Sequence, residues 1–152
     1  MSKKTKKAVA GPPIRLRIKA GEATQGPPIG STLAPKGVKV MDFCKLFNEK
    51  TKVFEKGAPI PVRVIVYKDK TFDVIIKKPT ARYFLLRAAN VNSGSSMPNK
   101  NKVGFVMRKQ LESIVEEKMS DLNAGSMEAA IRTLSGTAQS MGIEVRGDEQ
   151  SV

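Results

Sequence analysis

The stretch Ser126-Met-Glu-Ala-Ala-Ile-Arg-Thr-Leu-Ser-Gly-Thr-Ala-Gln-Ser-Met-Gly-Ile-Glu-Val145 decides how the rest of the chain is read. Met127, Ala130, Ile131, Leu134, Ala138 and Met141 recur at three- and four-residue steps, which puts them on one face of a helix. Ser126 stands where an N-cap is needed, and Glu128 falls in the first turn, where negative charge suits the helix dipole. Gly142 fits the left-handed C′ position that ends a helix, with Ile143 packing back on the last turn.

The other face of this helix is unusual. Ala129, Thr133, Gly136 and Ser140 succeed one another at steps of four, three and four, so small residues line up away from the apolar stripe. A solvated face normally carries Lys and Glu. Gly136 costs about 1 kcal/mol relative to Ala inside a helix, so its presence calls for a reason. Two readings are open: a docking face for a rigid partner such as folded RNA, and a tight helix–helix contact.

Composition narrows the class of partner. The 152 residues carry a formal net charge of +13, which favours a polyanion: nucleic acid first, an anionic membrane second. No apolar run is long enough for a transmembrane helix. The basic start Met1-Ser-Lys-Lys-Thr-Lys-Lys7 lacks the apolar region of a secretory signal. A single cysteine, Cys44, excludes an internal disulfide and suits a reducing compartment. Histidine is absent, which removes the commonest general base and metal ligand. The charge is uneven. Residues 1–78 hold 18 Lys and Arg against 6 acids, yet in the second half no acid occurs between Asp73 and Glu112.

In chain order, residues 1–13 read as a basic flexible tail closed by Gly11-Pro12-Pro13. Ile14, Leu16 and Ile18 alternate with basic residues, the pattern of a half-buried strand. Residues 21–37 are dense in Gly and Pro and match no phosphate loop; Ser31 is placed to cap a short helical turn. This stretch reads as a rigid recognition loop or as an ordinary connection. Val40, Met41, Phe43, Cys44 and Phe47 keep helical spacing, and without a histidine to activate it Cys44 reads as a packed thiol. Alternation at residues 60–66 and 72–76, around a turn at Asp69-Lys70, predicts two strands. The expected N-terminal unit, residues 14–76, is a three-stranded antiparallel sheet covered by the helix around Phe43. Residues 77–80 read as a linker, because proline disfavours helix before it and Thr80 can cap a helix that starts at residue 81.

Residues 81–146 read as a three-helix unit. Its stripes are Ala81, Phe84, Leu85 and Ala88; then Met107, Leu111, Ile114, Val115, Met119 and Leu122; then the helix around Ile131. Residues 147–152 form a short tail. The loop at 90–104 is long for a helical domain. Its Asn, Ser and Gly residues, with Lys100 and Lys102, suit RNA contact, a reading weighed against a flexible solvated loop. The predicted fold class is therefore α+β, a sheet-and-helix domain joined to a helical one. No catalytic constellation is visible. Glu112, Glu116 and Glu117 sit among basic neighbours as a solvated face, no metal-ligand spacing occurs, and nothing implies a cofactor. The sequence supports a binding protein and not an enzyme.

Several segments then resemble one family. They include Gly26-Pro-Pro-Ile-Gly30, Gly37-Val-Lys-Val-Met-Asp-Phe-Cys-Lys-Leu-Phe-Asn-Glu-Lys-Thr51 and Pro59-Ile-Pro-Val62. Asp69-Lys-Thr-Phe72, Pro98-Asn-Lys-Asn-Lys-Val-Gly104, Asp121-Leu-Asn-Ala124 and Gly136-Thr-Ala-Gln-Ser-Met-Gly-Ile143 complete the set. Together they resemble the L-eleven family of large-subunit ribosomal proteins. The resemblance implies a two-domain protein at the base of the ribosomal stalk, its helical domain bound to large-subunit rRNA in the GTPase-associated centre. Carried to matching positions, it implies rRNA contacts at Ser93, Gly94, Asn99, Lys100, Lys102 and Gly104, and at Gly136, Thr137, Ser140, Met141 and Gly142. It implies a loop facing translational GTPases and thiopeptide antibiotics at Gly26, Pro27, Pro28, Gly30 and Ser31.

Stalk-base ribosomal proteins and, transiently, translational GTPases are the other implied partners, with no membrane and no small-molecule substrate. The chain departs from the family pattern at Ser31 (usually proline), Ala34 (glycine), Gln139 (often basic) and Phe105 (lysine). Pro79-Thr80 with Tyr83-Phe84 looks like mitochondrial members, which favours the mitochondrial matrix, with bacterial cytoplasm and plastid as alternatives. An extra-ribosomal nucleic-acid-binding regulator is the competing function.

Overall fold

The computed structural model describes residues 8–147; the expectations for residues 1–7 of the basic tail and for 148–152 lie outside the described residues. The chain divides into two compact units between Lys77 and Lys78.

The first unit is built on strands β1 (Ile14–Lys19), β2 (Pro59–Val66) and β3 (Phe72–Ile76) in an antiparallel sheet of order β1-β2-β3. The register sets Leu16 opposite Val62, and Val64 opposite Val74, so alternate apolar residues share one face. Two helices cover that face: the short α1 (Ile29–Leu33), continued by a 3-10 turn at Ala34–Lys36, and α2 (Val40–Lys50). Phe43 lies 6.1 Å from Phe47 and 6.2 Å from Phe72, ring centre to ring centre, which seats α2 on β3. Ile60, Val64, Leu33, Phe43 and Phe47 are fully buried.

Three details differ from the sequence reading. Met41 is 56% exposed; it lies two residues from Phe43, about 200° around the helix, so it cannot share the inward arc. Ser31 does not cap a helix but sits inside α1, where its hydroxyl donates to the Pro28 carbonyl at 3.1 Å. Residues 8–10, read as flexible tail, extend the sheet locally: Ala10 N–H donates to the Val66 carbonyl and Lys68 N–H to the Ala8 carbonyl.

The second unit contains α3 (Ala81–Ala88), β4 (Gly104–Met107), α4 (Arg108–Lys118), a 3-10 turn at Met119–Asp121, α5 (Met127–Ser140) and β5 (Ile143–Arg146). The three expected helices form, and Leu85, Leu111, Ile114, Val115, Ala130, Leu134 and Ala138 make their common core. The expectation of a purely helical unit is corrected by a parallel pair of strands, with Gly104 opposite Ile143 and Met107 opposite Arg146. Only Val106 of β4 is buried, so the segment carries almost no periodic signal. Its pairing depends on a crossover through α4 and α5, a long-range event invisible locally. Met107, assigned to the apolar stripe of α4, stands at the N-cap, where its N–H donates to the Gln110 side chain at 3.0 Å.

At the junction, Lys77 N–H donates to the Pro61 carbonyl of β2, and the next residue changes allegiance: Lys78 N–H donates to Asp121 Oδ2 at 3.0 Å. The Lys78 ammonium donates to the Glu117 carbonyl, and Lys118 Nζ donates to the Pro79 carbonyl at 2.9 Å. Lys118 is 8% exposed and pairs with Asp121 at 3.6 Å. The segment read as a four-residue linker is thus bonded to the second unit from Lys78 onward. Thr80 occupies the N-cap position of α3, but its hydroxyl makes no capping bond.

Candidate nucleic-acid interface

The site is organised by α5. Ser126 caps it, accepting a hydrogen bond from Ala129 N–H at 3.3 Å, and Gly142 stops it with φ of 75°. Ala130, Leu134 and Ala138 pin the inner face to the core, which turns Thr133, Gly136 and Ser140 outward. The hydroxyls on that face fold back on the helix: Thr133 donates to the Ala129 carbonyl (2.9 Å), Thr137 to Thr133 (3.1 Å) and Ser140 to Thr137 (2.6 Å). Their protons are satisfied internally, so they present acceptor lone pairs and little bulk.

A Cβ placed on Gly136 would meet nothing within 4 Å. The helix–helix explanation of this glycine therefore fails among the described residues, because no helix packs there. The small face is open surface.

Loop 90–104 is built against the C-terminal end of α5. Ser95 N–H donates to the Met141 carbonyl at 2.8 Å, and Val103 N–H donates to the Gly142 carbonyl at 2.9 Å. Glycine is required where the two segments meet. A Cβ on Gly142 would lie 2.6 Å from Ser95 Cβ and 3.0 Å from the Asn101 carbonyl, and one on Gly94 would lie 3.2 Å from the Met141 carbonyl. Gly94, Met141 and Gly142 thus have a packing role in joining loop to helix. Gly104, half-buried, packs its backbone against Ala89 and Val91. Ser93, Asn99, Lys100 and Lys102 are exposed, and the Lys102 ammonium donates one bond to the Pro98 carbonyl at 2.8 Å.

Two shallow grooves flank the Gly136–Gln139 ridge. One, of about 500 Å³, lies toward the loop and is lined by Asn99, Lys102, Ser140, Glu144 and Arg146, among others. The second, of about 680 Å³, lies toward the start of α4 and brings in Arg108, Arg132 and Ser135. Each groove sets two cations against one acid, Lys102 and Arg146 against Glu144 in the first and Arg108 and Arg132 against Glu128 in the second. A small uncharged centre with margins of net positive charge suits the close approach of a phosphate backbone. The descriptions of two family models match this chain: "Ribosomal protein L11, N-terminal domain" over residues 14–72 and "Ribosomal protein L11, RNA binding domain" over residues 77–145.

The chain belongs to the ribosomal protein L11 family.

A curated relative, the large ribosomal subunit protein uL11 of the bacterium Sinorhizobium fredii, is 48% identical over 141 residues, covering 93% of this chain and 99% of that protein. The L11 resemblance drawn from the motifs is therefore correct.

Of the contacts expected from sequence, Asn99, Lys102, Gly136 and Ser140 line the grooves, whereas Ser93, Lys100 and Thr137 do not. Arg108, Arg132 and Arg146 also stand on the groove margins and were not among the expected contacts. Arg132 was legible, standing four residues before Gly136 on one helical face. Arg146 was not, because its position depends on the β4–β5 pairing.

The proline-rich loop of the first unit is held by Asn48 of α2 and by Thr51, which caps the end of that helix. Asn48 accepts from Ala23 N–H (3.1 Å) and donates to the Ala23 carbonyl, while the buried Thr51 hydroxyl accepts from Gly21 N–H at 3.2 Å. Buried Ile29 and Leu33 anchor α1 and leave Pro27, Pro28 and Ser31 exposed. A side chain at Gly30 would run into the Gln25 carbonyl, so this glycine serves the turn itself. Among the described residues there is no group of acids or cysteines placed to hold a metal ion, and no helix long and apolar enough to cross a membrane.

Proposed function

We propose that this chain is a structural, non-enzymatic component of the large ribosomal subunit that binds large-subunit rRNA at the GTPase-associated centre. The carrying observation is the open small-residue face of α5, bounded by cationic grooves, within the segment that matches the L11 RNA-binding domain. The contacts are Ser93, Asn99, Lys100, Lys102, Gly136 and Ser140, all exposed, with the half-buried Thr137 beside them. Gly94, Gly104, Met141 and Gly142 shape the loop that presents them. Recognition is by shape: a preformed RNA fold lies along the helix, and the lysines and arginines neutralise phosphates at the margins. This accounts for a site whose affinity need not track the distribution of net charge between the two units.

Gly26, Pro27, Pro28, Gly30 and Ser31 form the loop we assign to translational GTPases, with neighbouring stalk-base proteins as stable partners. The bacterial relative favours a ribosome of bacterial type and gives no support to the mitochondrial preference drawn from residues 79–85. The test is binding of the full chain to a GTPase-centre rRNA fragment against a duplex of equal charge. Strong preference for the folded fragment is expected. Equal affinity for both would remove shape recognition and leave a generic basic module.

A further inference from the structure

The sheet β4–β5 shows an outer face that the loop and α5 do not explain. Its inward residues, Val106 and Ile143, are fully buried, while Phe105 is 44% and Met107 42% exposed. Glu144 stands opposite Phe105 in the register, and Arg146 opposite Met107. The Arg146 guanidinium carbon lies 4.2 Å from the centre of the Phe105 ring, and Arg146 Nη2 lies 3.4 Å from Glu144 Oε2. A long, flexible cation is thus held between an aromatic face and a carboxylate, and its side chain remains 55% exposed. A guanidinium lying over a ring with one nitrogen engaged by a carboxylate keeps further N–H donors.

That edge belongs to the groove already described. Arg146 lines it together with Asn99, Lys102, Gly136, Gln139 and Ser140. Glu144 is the acid among its lining residues, and its charge is offset by Arg146 itself.

Resting on the rRNA-binding reading above, we infer that Arg146 is a phosphate-binding residue for RNA seated in this groove, with Phe105 and Glu144 as the positioning residues that fix its guanidinium. The occupant is an RNA backbone phosphate: the groove is polar and shallow, the neighbouring cation is Lys102, and a guanidinium with N–H donors to spare can make a bidentate phosphate contact. This extends the interface from α5 and the loop onto the strand pair.

The test compares the full native chain with Arg146→Gln, Arg146→Lys, Phe105→Leu and Phe105→Trp. Each is titrated with the GTPase-centre rRNA fragment and the equal-charge duplex across a series of salt concentrations, with circular dichroism melts as the folding control. Arg146→Gln is expected to weaken rRNA binding roughly threefold to tenfold and to reduce the slope of log affinity against log salt by about 0.7–0.9, one phosphate contact. Arg146→Lys should keep the slope. Phe105→Leu should weaken binding without changing the slope, and Phe105→Trp should restore it, which a merely structural residue would not do. If native chain prefers the rRNA fragment but Arg146→Gln matches it in affinity and slope, this inference fails alone. Weaker binding by Arg146→Gln at an unchanged slope also overturns it, because the contact is then not to phosphate. If the native chain shows no preference for the fragment, both readings fall together.

Discussion

Replacing Gly136 by alanine should move stability and RNA binding in opposite directions. The residue lies in the third turn of α5, away from both caps, where glycine is about 0.8–1.0 kcal/mol less favourable than alanine. The added Cβ would meet no atom within 4 Å outside the helix, so no steric cost offsets the gain. The second unit should therefore gain about 1 kcal/mol, which raises its Tm by about 4–8 °C for a domain of this size. Bound RNA experiences the same methyl group differently. A backbone that approached the bare helix must retreat, and a gap of about 0.5–1 Å already forfeits a quarter to a half of the dispersion attraction between each pair of facing atoms. The phosphate interactions at the groove margins lengthen with it. A loss of roughly tenfold in affinity, or about 1.4 kcal/mol, is expected for Gly136→Ala, and more for Gly136→Leu.

Thermal melts and filter binding on the same preparations read both quantities. A variant that is more stable and binds rRNA as tightly as the native chain would refute the idea that the glycine is kept for RNA approach. A variant that loses stability would refute the open-surface reading and return the helix-packing explanation.

Lys118→Met should destabilise the second unit by about 2–4 kcal/mol in denaturant titrations, because it strips a donor from the Pro79 carbonyl and a cation from Asp121 in a nearly buried setting; a change under half a kcal/mol would mean the pair is solvated. Gly142→Ala forces a side chain into a left-handed conformation and against Ser95, so a loss of about 2 kcal/mol or more is expected. In the same variant, hydrogen exchange at Ser95 and Val103 N–H should accelerate as the loop detaches from α5. Burial raises the Cys44 thiol above its ordinary value of 9.0. The unfolded chain then releases this proton first, so the stabilisation is complete below that pH and is lost as pH climbs past it. Unfolding free energies between pH 8 and 10 should fall less steeply in Cys44→Ala than in the native chain, and equal slopes would exclude the thiol as a contributor.

Much of the fold lies in local pattern. Alternation at residues 14–18, 60–66 and 72–76 specifies three strands, because a half-buried antiparallel strand must place every second residue inward. The stripe in α5, its Ser126 cap and its Gly142 stop are equally local, since capping and left-handed backbone depend on one or two residues. The small outward face of that helix was visible too, along with the cationic loop at 90–104. Nothing in the pattern said whether Gly136 met another helix or solvent, because that depends on which surfaces the remaining helices leave uncovered.

The tertiary structure decided the matters that depend on partners distant in sequence. It paired β4 with β5 across two helices, and so carried Arg146 over Phe105 and into the groove beside Lys102. It gave Gly94 and Gly142 a packing role by bringing loop 90–104 onto the end of α5. It bonded Lys78 and Pro79 to Asp121 and Lys118, so residues read locally as a linker belong to the second unit. A sequence records the preferences of each segment over a few residues; which segments meet is set by burying every stripe at once, and only the folded chain states that solution.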